Sequence, residues 1–274
     1  MYPPHRYRSR AKTTRRSRSA PRCGRRHARR CLSHADARLQ HDVTGWTVWG
    51  SSVVLARFIE ARAGLFATQS LLELGAGCGV AGLWAAARAS PACVYLSDYN
   101  ELTVSNLRRN VAANAACCAP CDVAAVDWDD ESTWPLEPGC AEGEPRTFPV
   151  VIGADLVYRR SYARKLASVL ERMVQPGGRF VLATPGQREG LPTLMQMLQR
   201  AGWICEEELD APPEWRANPL RAESKSGADA ADGGGAGDET HHFPELAMKS
   251  IAYPLNVFVW RKPESAAAEE QAEG

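Results

Sequence analysis

Histidine is missing from the whole middle of this chain: the six stand at positions 5, 27, 34, 41, 241 and 242 of 274. A hydrolase or dehydrogenase that relies on an imidazole as proton carrier needs one within the folded body, so that chemistry is disfavoured. No apolar run approaches the roughly 18 residues that a membrane-crossing helix requires, and no membrane partner is expected. Nine cysteines are scattered, with no secretory apolar region ahead of them; a reducing compartment, cytoplasmic or nuclear, fits that usage. Cys117, Cys118 and Cys121 form the one cluster but lack the second pair or neighbouring histidines of a closed zinc site, so no metal is expected. No repeat of 20 to 50 residues is visible.

Acidic and apolar residues are nearly absent from the start of the chain. Residues 1–40 hold 13 Lys and Arg against the single Asp36, and the stretch 2–31 contains no Leu, Ile, Val, Met or Phe. An organelle leader would need an amphipathic helix, which this composition disfavours. A solvated basic arm, nuclear targeting and nucleic-acid contact are the readings preferred for it, with organelle targeting a lesser alternative. The other 234 residues carry about eleven more acidic than basic groups, so the overall charge of +1 hides a basic arm on an acidic body.

What is present alternates between strand and helix patterns. "LLEL", "CVYLSD", "CDVAAVDW", "FPVVIGADLVY" and "RFVLATP" read as strands, and the segments from Val53, Val80, Asn100, Tyr162 and Leu191 read as helices. Ser51 or Ser52 is placed to cap the first helix, and Leu102, Leu107 and Val111 are expected on one side of the third. "ICEEELD" and "LNVFVWRK" suggest a closing antiparallel pair. The pattern predicts one doubly wound α/β domain over about 41–263, with a low-complexity insertion near 221–240 and a solvated tail over 264–274.

Four glycines crowd "LLELGAGCGVAG", residues 71–82, in the turn from the first strand to the second helix. Such a turn opens at the carboxyl edge of a parallel sheet, where backbone amides can face a nucleotide-like ligand. Gly77, Gly79 and Gly82 satisfy G-x-G-x-x-G, and Asp98 follows about 20 residues on, as in dinucleotide-binding folds. Glu73, Gly75, Gly77 and Gly79 equally satisfy E-x-G-x-G-x-G, the first motif of class I methyltransferases.

The run Thr44–Trp49, the glycine turn, "SDYNELTVSNLRRNVAAN", "VDW" and "GADLVY", in this order, resemble the seven-β-strand protein-lysine methyltransferases, the family 16 and methyltransferase-like 21 group. The likeness spans about residues 44–201 and the last strand. It implies a Rossmann-like class I domain with a mostly parallel seven-stranded sheet and S-adenosylmethionine as cofactor. Trp49, Glu73, Gly75, Gly77, Asp98, Asp127, Trp128 and Ala154 would then line the cofactor. Asp98 can accept both ribose hydroxyls, Glu73 would organise the amino acid end, and Asp127 with Trp128 would meet the adenine.

"DLVY" matches the family's acidic residue, two residues, then Tyr or Phe after the fourth strand, which makes Asp155 and Tyr158 the catalytic candidates. The resemblance implies a lysine of a protein partner as acceptor. That amine must be neutral to attack, at a cost of about 4 to 5 kcal/mol at pH 7. Asp155 would orient it, and Tyr158 would wall the channel or hold the methylated ammonium. Arginine, nucleic acid or a small molecule as acceptor, and a non-catalytic cofactor-binding module, are the alternatives. Base methyltransferases of this class usually carry Asn or Asp, Pro, Pro and an aromatic where this chain has "DLVY"; nucleic acid is therefore not favoured, although the arm keeps it open. A monomer is expected, and Arg188 receives no role.

Overall fold

The computed structural model describes residues 44–137, 145–216 and 254–264. The basic arm, the insertion and all of the tail beyond Glu264 lie outside them. Seven strands, β1 (Ser70–Leu74), β2 (Cys93–Asp98), β3 (Cys121–Ala125), β4 (Phe148–Ala154), β5 (Val174–Pro185), β6 (Ile204–Asp210) and β7 (Leu255–Arg261), form one sheet in the order β3-β2-β1-β4-β5-β7-β6. β7 runs antiparallel to both β5 and β6, and all other pairings are parallel. The expected closing antiparallel pair is thus present. β7 enters between β5 and β6, so the last strand in sequence is interior to the sheet.

The central strands read as continuous apolar runs because both faces are covered. On one side α1 (Gly50–Ala61), α2 (Val80–Arg88) and α3 (Glu101–Asn114) pack through Leu55, Phe58, Ala85 and Leu107 onto Leu71, Ile152, Val181 and Val257. On the other, α4 (Arg160–Met173) and α5 (Leu191–Arg200) pack through Leu166, Leu170 and Leu194 onto Leu72, Val151, Phe180 and Trp260. Alternate residues of each strand serve opposite layers, as the two-residue period of a strand demands. The chain starts in mid-sheet, winds outward through β2 and β3, then returns to β4 beside β1. The connections after β1 and β4 therefore leave in opposite directions and open a crevice at the carboxyl edge. Among the described residues no helix is long and apolar enough to cross a membrane.

Local departures from the sequence reading have simple causes. Trp49, not Ser51 or Ser52, occupies the cap of α1, and its carbonyl accepts from Ser52 N at 3.0 Å and Ser52 Oγ at 2.7 Å. Both serines lie inside the first turn, so neither hydroxyl can cap it. On α3, Leu107 is buried but Leu102 is exposed, since five residues on an α-helix turn the side chain by about 140°. Asn106, Asn110 and Asn114 are buried there. β3 ends at Ala125 and β4 at Ala154, where Asp155 takes φ +57° and breaks the extended run.

Candidate functional site

β1 delivers Glu73 and then five residues of turn before α2. Gly75, Gly77 and Gly79 all have positive φ, at 58°, 54° and 79°, conformations that cost an L-residue with a Cβ about 1 kcal/mol or more. A Cβ on Gly77 would also lie 3.1 Å from the carbonyl oxygen of Gly45, in the Thr44–Trp49 strap that crosses the turn. The third glycine of the dinucleotide-like pattern has a different purpose. Gly82 N donates to Glu73 Oε2 at 2.8 Å, and a Cβ there would sit 2.4 Å from that same oxygen.

Glu73 is thus a fully buried carboxyl bound into the first turn of α2. Burial pushes its pKa up to about 8; the Gly82 amide pulls it down and nearby Asp98 adds to the rise. Cys78 in the same turn has its thiol pushed up to about 11, by burial and then by Asp98, which leaves it a poor nucleophile.

Asp98 ends β2 facing the turn. Its Oδ2 accepts from Gly77 N and its Oδ1 from Asn100 N, each at 3.1 Å. Asn100 in turn caps α3 through the amides of Leu102 and Thr103. A carboxylate has about four acceptor positions, more than these two amides use. Beyond β3, Asp127 is built into a tight turn: its amide donates to Thr133 Oγ1 at 2.9 Å and its carbonyl accepts from Trp134 Nε1 at 2.7 Å. Trp49 is 38% exposed, with its Nε1 on Thr44 O at 2.9 Å. It is therefore a ring laid over the opening and not a core aromatic.

The fourth-strand end closes the other side. Asp155 N donates to Ala183 O at 2.9 Å, extending the β4–β5 ladder by one residue. Leu156 then fills the space left by two glycines: a Cβ on Gly153 or Gly75 would lie 2.3 or 2.8 Å from its methyl carbons. The Tyr158 and Tyr162 ring centroids are 4.9 Å apart, and Tyr162 meets Trp128 at 6.5 Å, both pairs edge to face.

All ten residues singled out in the sequence, Trp49, Glu73, Gly75, Gly77, Asp98, Asp127, Trp128, Ala154, Asp155 and Tyr158, line one cleft of about 490 Å³. Arg188, Tyr162, Tyr99 and the Lys165–Asp129 ion pair line it too and were not singled out. Arg188 is the most consequential of these, because it grips Asp155 with two nitrogens. The cradle of positive-φ glycines, the Asp98 carboxylate at the end of β2 and a buried Glu73 suit a ligand with hydroxyls and an ammonium group, as S-adenosylmethionine has. Among the described residues no cluster of three or more metal-ligating side chains occurs.

Comparison with known proteins identifies the family. Residues 35–201 match the sequence profile of a family described as lysine methyltransferase. The chain is 25% identical over 169 residues to calmodulin-lysine N-methyltransferase of Arabidopsis thaliana, covering 60% of this chain and 53% of that protein. It is 28% identical over 192 residues to the protein-lysine N-methyltransferase EEF2KMT of Mus musculus, covering 64% and 55%. It spans about half the length of these curated relatives. Among solved structures, a candidate RNA methyltransferase of Pyrococcus horikoshii superimposes with a TM-score of 0.53 at 11% identity, over 87% of this chain and 97% of that one, a likeness of fold alone.

Proposed function

Because the chain belongs to the lysine methyltransferase family whose profile spans residues 35–201, we propose that it transfers methyl groups from S-adenosylmethionine to a lysine side chain of a protein. The observation that carries this is the continuity of one cleft from the glycine turn and Asp98 to Asp155 and Tyr158. A cofactor end and an acceptor end share a single space.

When bound, S-adenosylmethionine supplies a methyl group on a sulfonium, which passes to the acceptor nitrogen as the carbon–sulfur bond breaks and its electrons stay on sulfur. Gly75 and Gly77 would let the backbone approach the ligand closely, and Asp98 would accept from its hydroxyls. Glu73, buried in the same cleft, would organise its ammonium end directly or through water. At the far end Asp155 accepts a hydrogen from the neutral amine and holds its lone pair in line; such orientation can supply about 7 to 11 kcal/mol of the barrier. The amine becomes a methylated ammonium and releases its proton to solvent at the mouth, beside Tyr158, which is 40% exposed.

The choice of lysine rests on the aromatic wall beside Asp155 and on the names of the relatives. Titration calorimetry with S-adenosylhomocysteine, followed by radiolabelled methyl transfer onto extract proteins and amino acid analysis of the product, tests both halves. Binding, then label in methyl-lysine, is expected. Label in methyl-arginine or nucleic acid would overturn the acceptor, and absence of binding would overturn the cofactor.

A further inference from the structure

Asp155 does not stand alone in the cleft. Arg188 Nε donates to Asp155 Oδ1 at 2.7 Å, and Arg188 Nη2 donates to Oδ2. The carboxylate side chain is 9% exposed and the guanidinium 29%. A two-pronged contact of this kind fixes the plane of a carboxylate as well as its charge balance. Thr184 Oγ1 lies 3.4 Å from Oδ1 as a third, longer contact.

Arg188 is held there by construction. Its loop, between β5 and α5, is pressed against the loop after β4: Gly190 N donates to Val157 O at 3.1 Å, and a Cβ on Gly190 would lie 2.6 Å from the carbonyl oxygens of both Val157 and Arg159. Two backbones meet at a glycine, which sets the reach of the arginine two residues earlier.

An unbalanced carboxylate would be a poor neighbour for a methyl acceptor. A bare anion within about 4 Å stabilises an ammonium ion, and an ammonium ion has no lone pair with which to attack. We propose that Arg188 is the positioning residue of the acceptor site: it fixes the plane of the Asp155 carboxylate and cancels its charge, so that the incoming amine meets a hydrogen-bond acceptor and not an anion that would hold it charged. This rests on the reading that an amine is methylated in this cleft. The two oxygens keep acceptor positions that the guanidinium does not use.

Other charged groups face the same space. Glu73, Asp98, Asp127 and the Lys165–Asp129 ion pair all line it. The phenols of Tyr158 and Tyr162, whose rings meet edge to face, and of Tyr99 line it as well. All are common to the wild type and an Arg188 variant, so the two differ in the guanidinium alone.

The test uses the full chain and n-butylamine, which ends in the same primary amine as lysine. Its binding is followed by NMR titration at pH 7, with and without S-adenosylhomocysteine. Arg188→Ala should bind the butylammonium cation at least fivefold more tightly than wild type, Arg188→Lys should restore wild-type behaviour, and Asp155→Asn with Arg188→Ala should lose the gain. Arg188→Gln replaces the alanine variant if that one fails to fold. Unchanged or weaker cation binding in a folded Arg188 variant overturns the assignment. Failure of wild type to bind S-adenosylhomocysteine would instead strike the methyltransferase reading, while the arm without that ligand still tests the charge balance. On any acceptor protein labelled by the wild type, Arg188→Ala should lower kcat more than tenfold at pH 7 and recover most of it by pH 10.

Discussion

The amide of Gly77 and the carboxylate of Asp98 are joined by a hydrogen bond of 3.1 Å. This bond links the glycine turn to the end of the neighbouring strand before any ligand arrives. The same carboxylate also serves the amide of Asn100, so one side chain sets both the turn and the start of α3 at the edge of the cleft.

Replacing Asp98 with Asn keeps the size and removes the charge. Hydrogen bonds to a charged acceptor contribute about 1.5 to 3 kcal/mol each, so S-adenosylhomocysteine affinity should fall at least tenfold in calorimetry. Circular dichroism should show a folded protein. Wild-type affinity in Asp98→Asn would mean that the ligand hydroxyls lie elsewhere.

Gly82→Ala sets two effects against each other. Alanine favours a helix by about 1 kcal/mol over glycine, but the new Cβ would stand 2.4 Å from Glu73 Oε2 and 2.9 Å from Leu96 Cδ2. Overpacking in a buried site costs about 1 to 3 kcal/mol, and it should win. Urea unfolding should show a net loss of stability and calorimetry a weakened cofactor site; a stabilised variant would show that Glu73 moves aside freely.

The buried Glu73 makes stability depend on pH. Its carboxyl is raised from 4.5 to about 8 in the folded chain, mainly by burial. Between those values the folded state holds a proton that the unfolded state has released, so stability is full below about 4.5 and declines as pH rises towards 8. The slope can reach about 1.4 kcal/mol per pH unit. Glu73→Gln, which can still accept from Gly82 N, should flatten that slope in urea unfolding at pH 5, 6.5 and 8. The slope should also shrink in wild type with S-adenosylhomocysteine bound, because its ammonium compensates the carboxylate.

Tyr158 is expected to act through its ring. Cation–π contacts of partly exposed sites contribute about 0.5 to 2 kcal/mol, so Tyr158→Ala should lower kcat/KM on a labelled acceptor by about 2- to 30-fold. Tyr158→Phe should stay within about threefold of wild type. An equal loss in both variants would point to the hydroxyl instead.

The site divides into parts that the sequence shows and parts that it hides. Glu73, the glycines and Asp98 lie within one strand–turn–helix–strand unit, so local pattern places them together. Asp155 and Arg188 are 33 residues apart and meet because β4 and β5 are parallel neighbours and Gly190 lets their following loops touch. Nothing in the local spacing encodes that meeting. α3 is misleading for a related reason: its buried face carries Asn106, Asn110 and Asn114 beside Leu107, so an apolar-stripe reading selects the exposed Leu102. Trp49 as a cap is equally hidden, since a backbone carbonyl does that work and its residue type carries no signal.

The asparagines of α3 also bear on how a ligand is received. Asn114 Nδ2 donates to Asn110 O at 2.7 Å, and Asn110 Nδ2 donates to the carbonyl of Cys78 at 3.0 Å. The centre of the glycine turn is therefore braced from behind by a polar helix face. Flexibility that five small residues would otherwise keep is given up once, when the chain folds, and is not given up again at each encounter with the cofactor. A receptor prepared in this way should bind and release its ligand many times without reshaping, with little heat-capacity change beyond that of the surface the ligand itself covers.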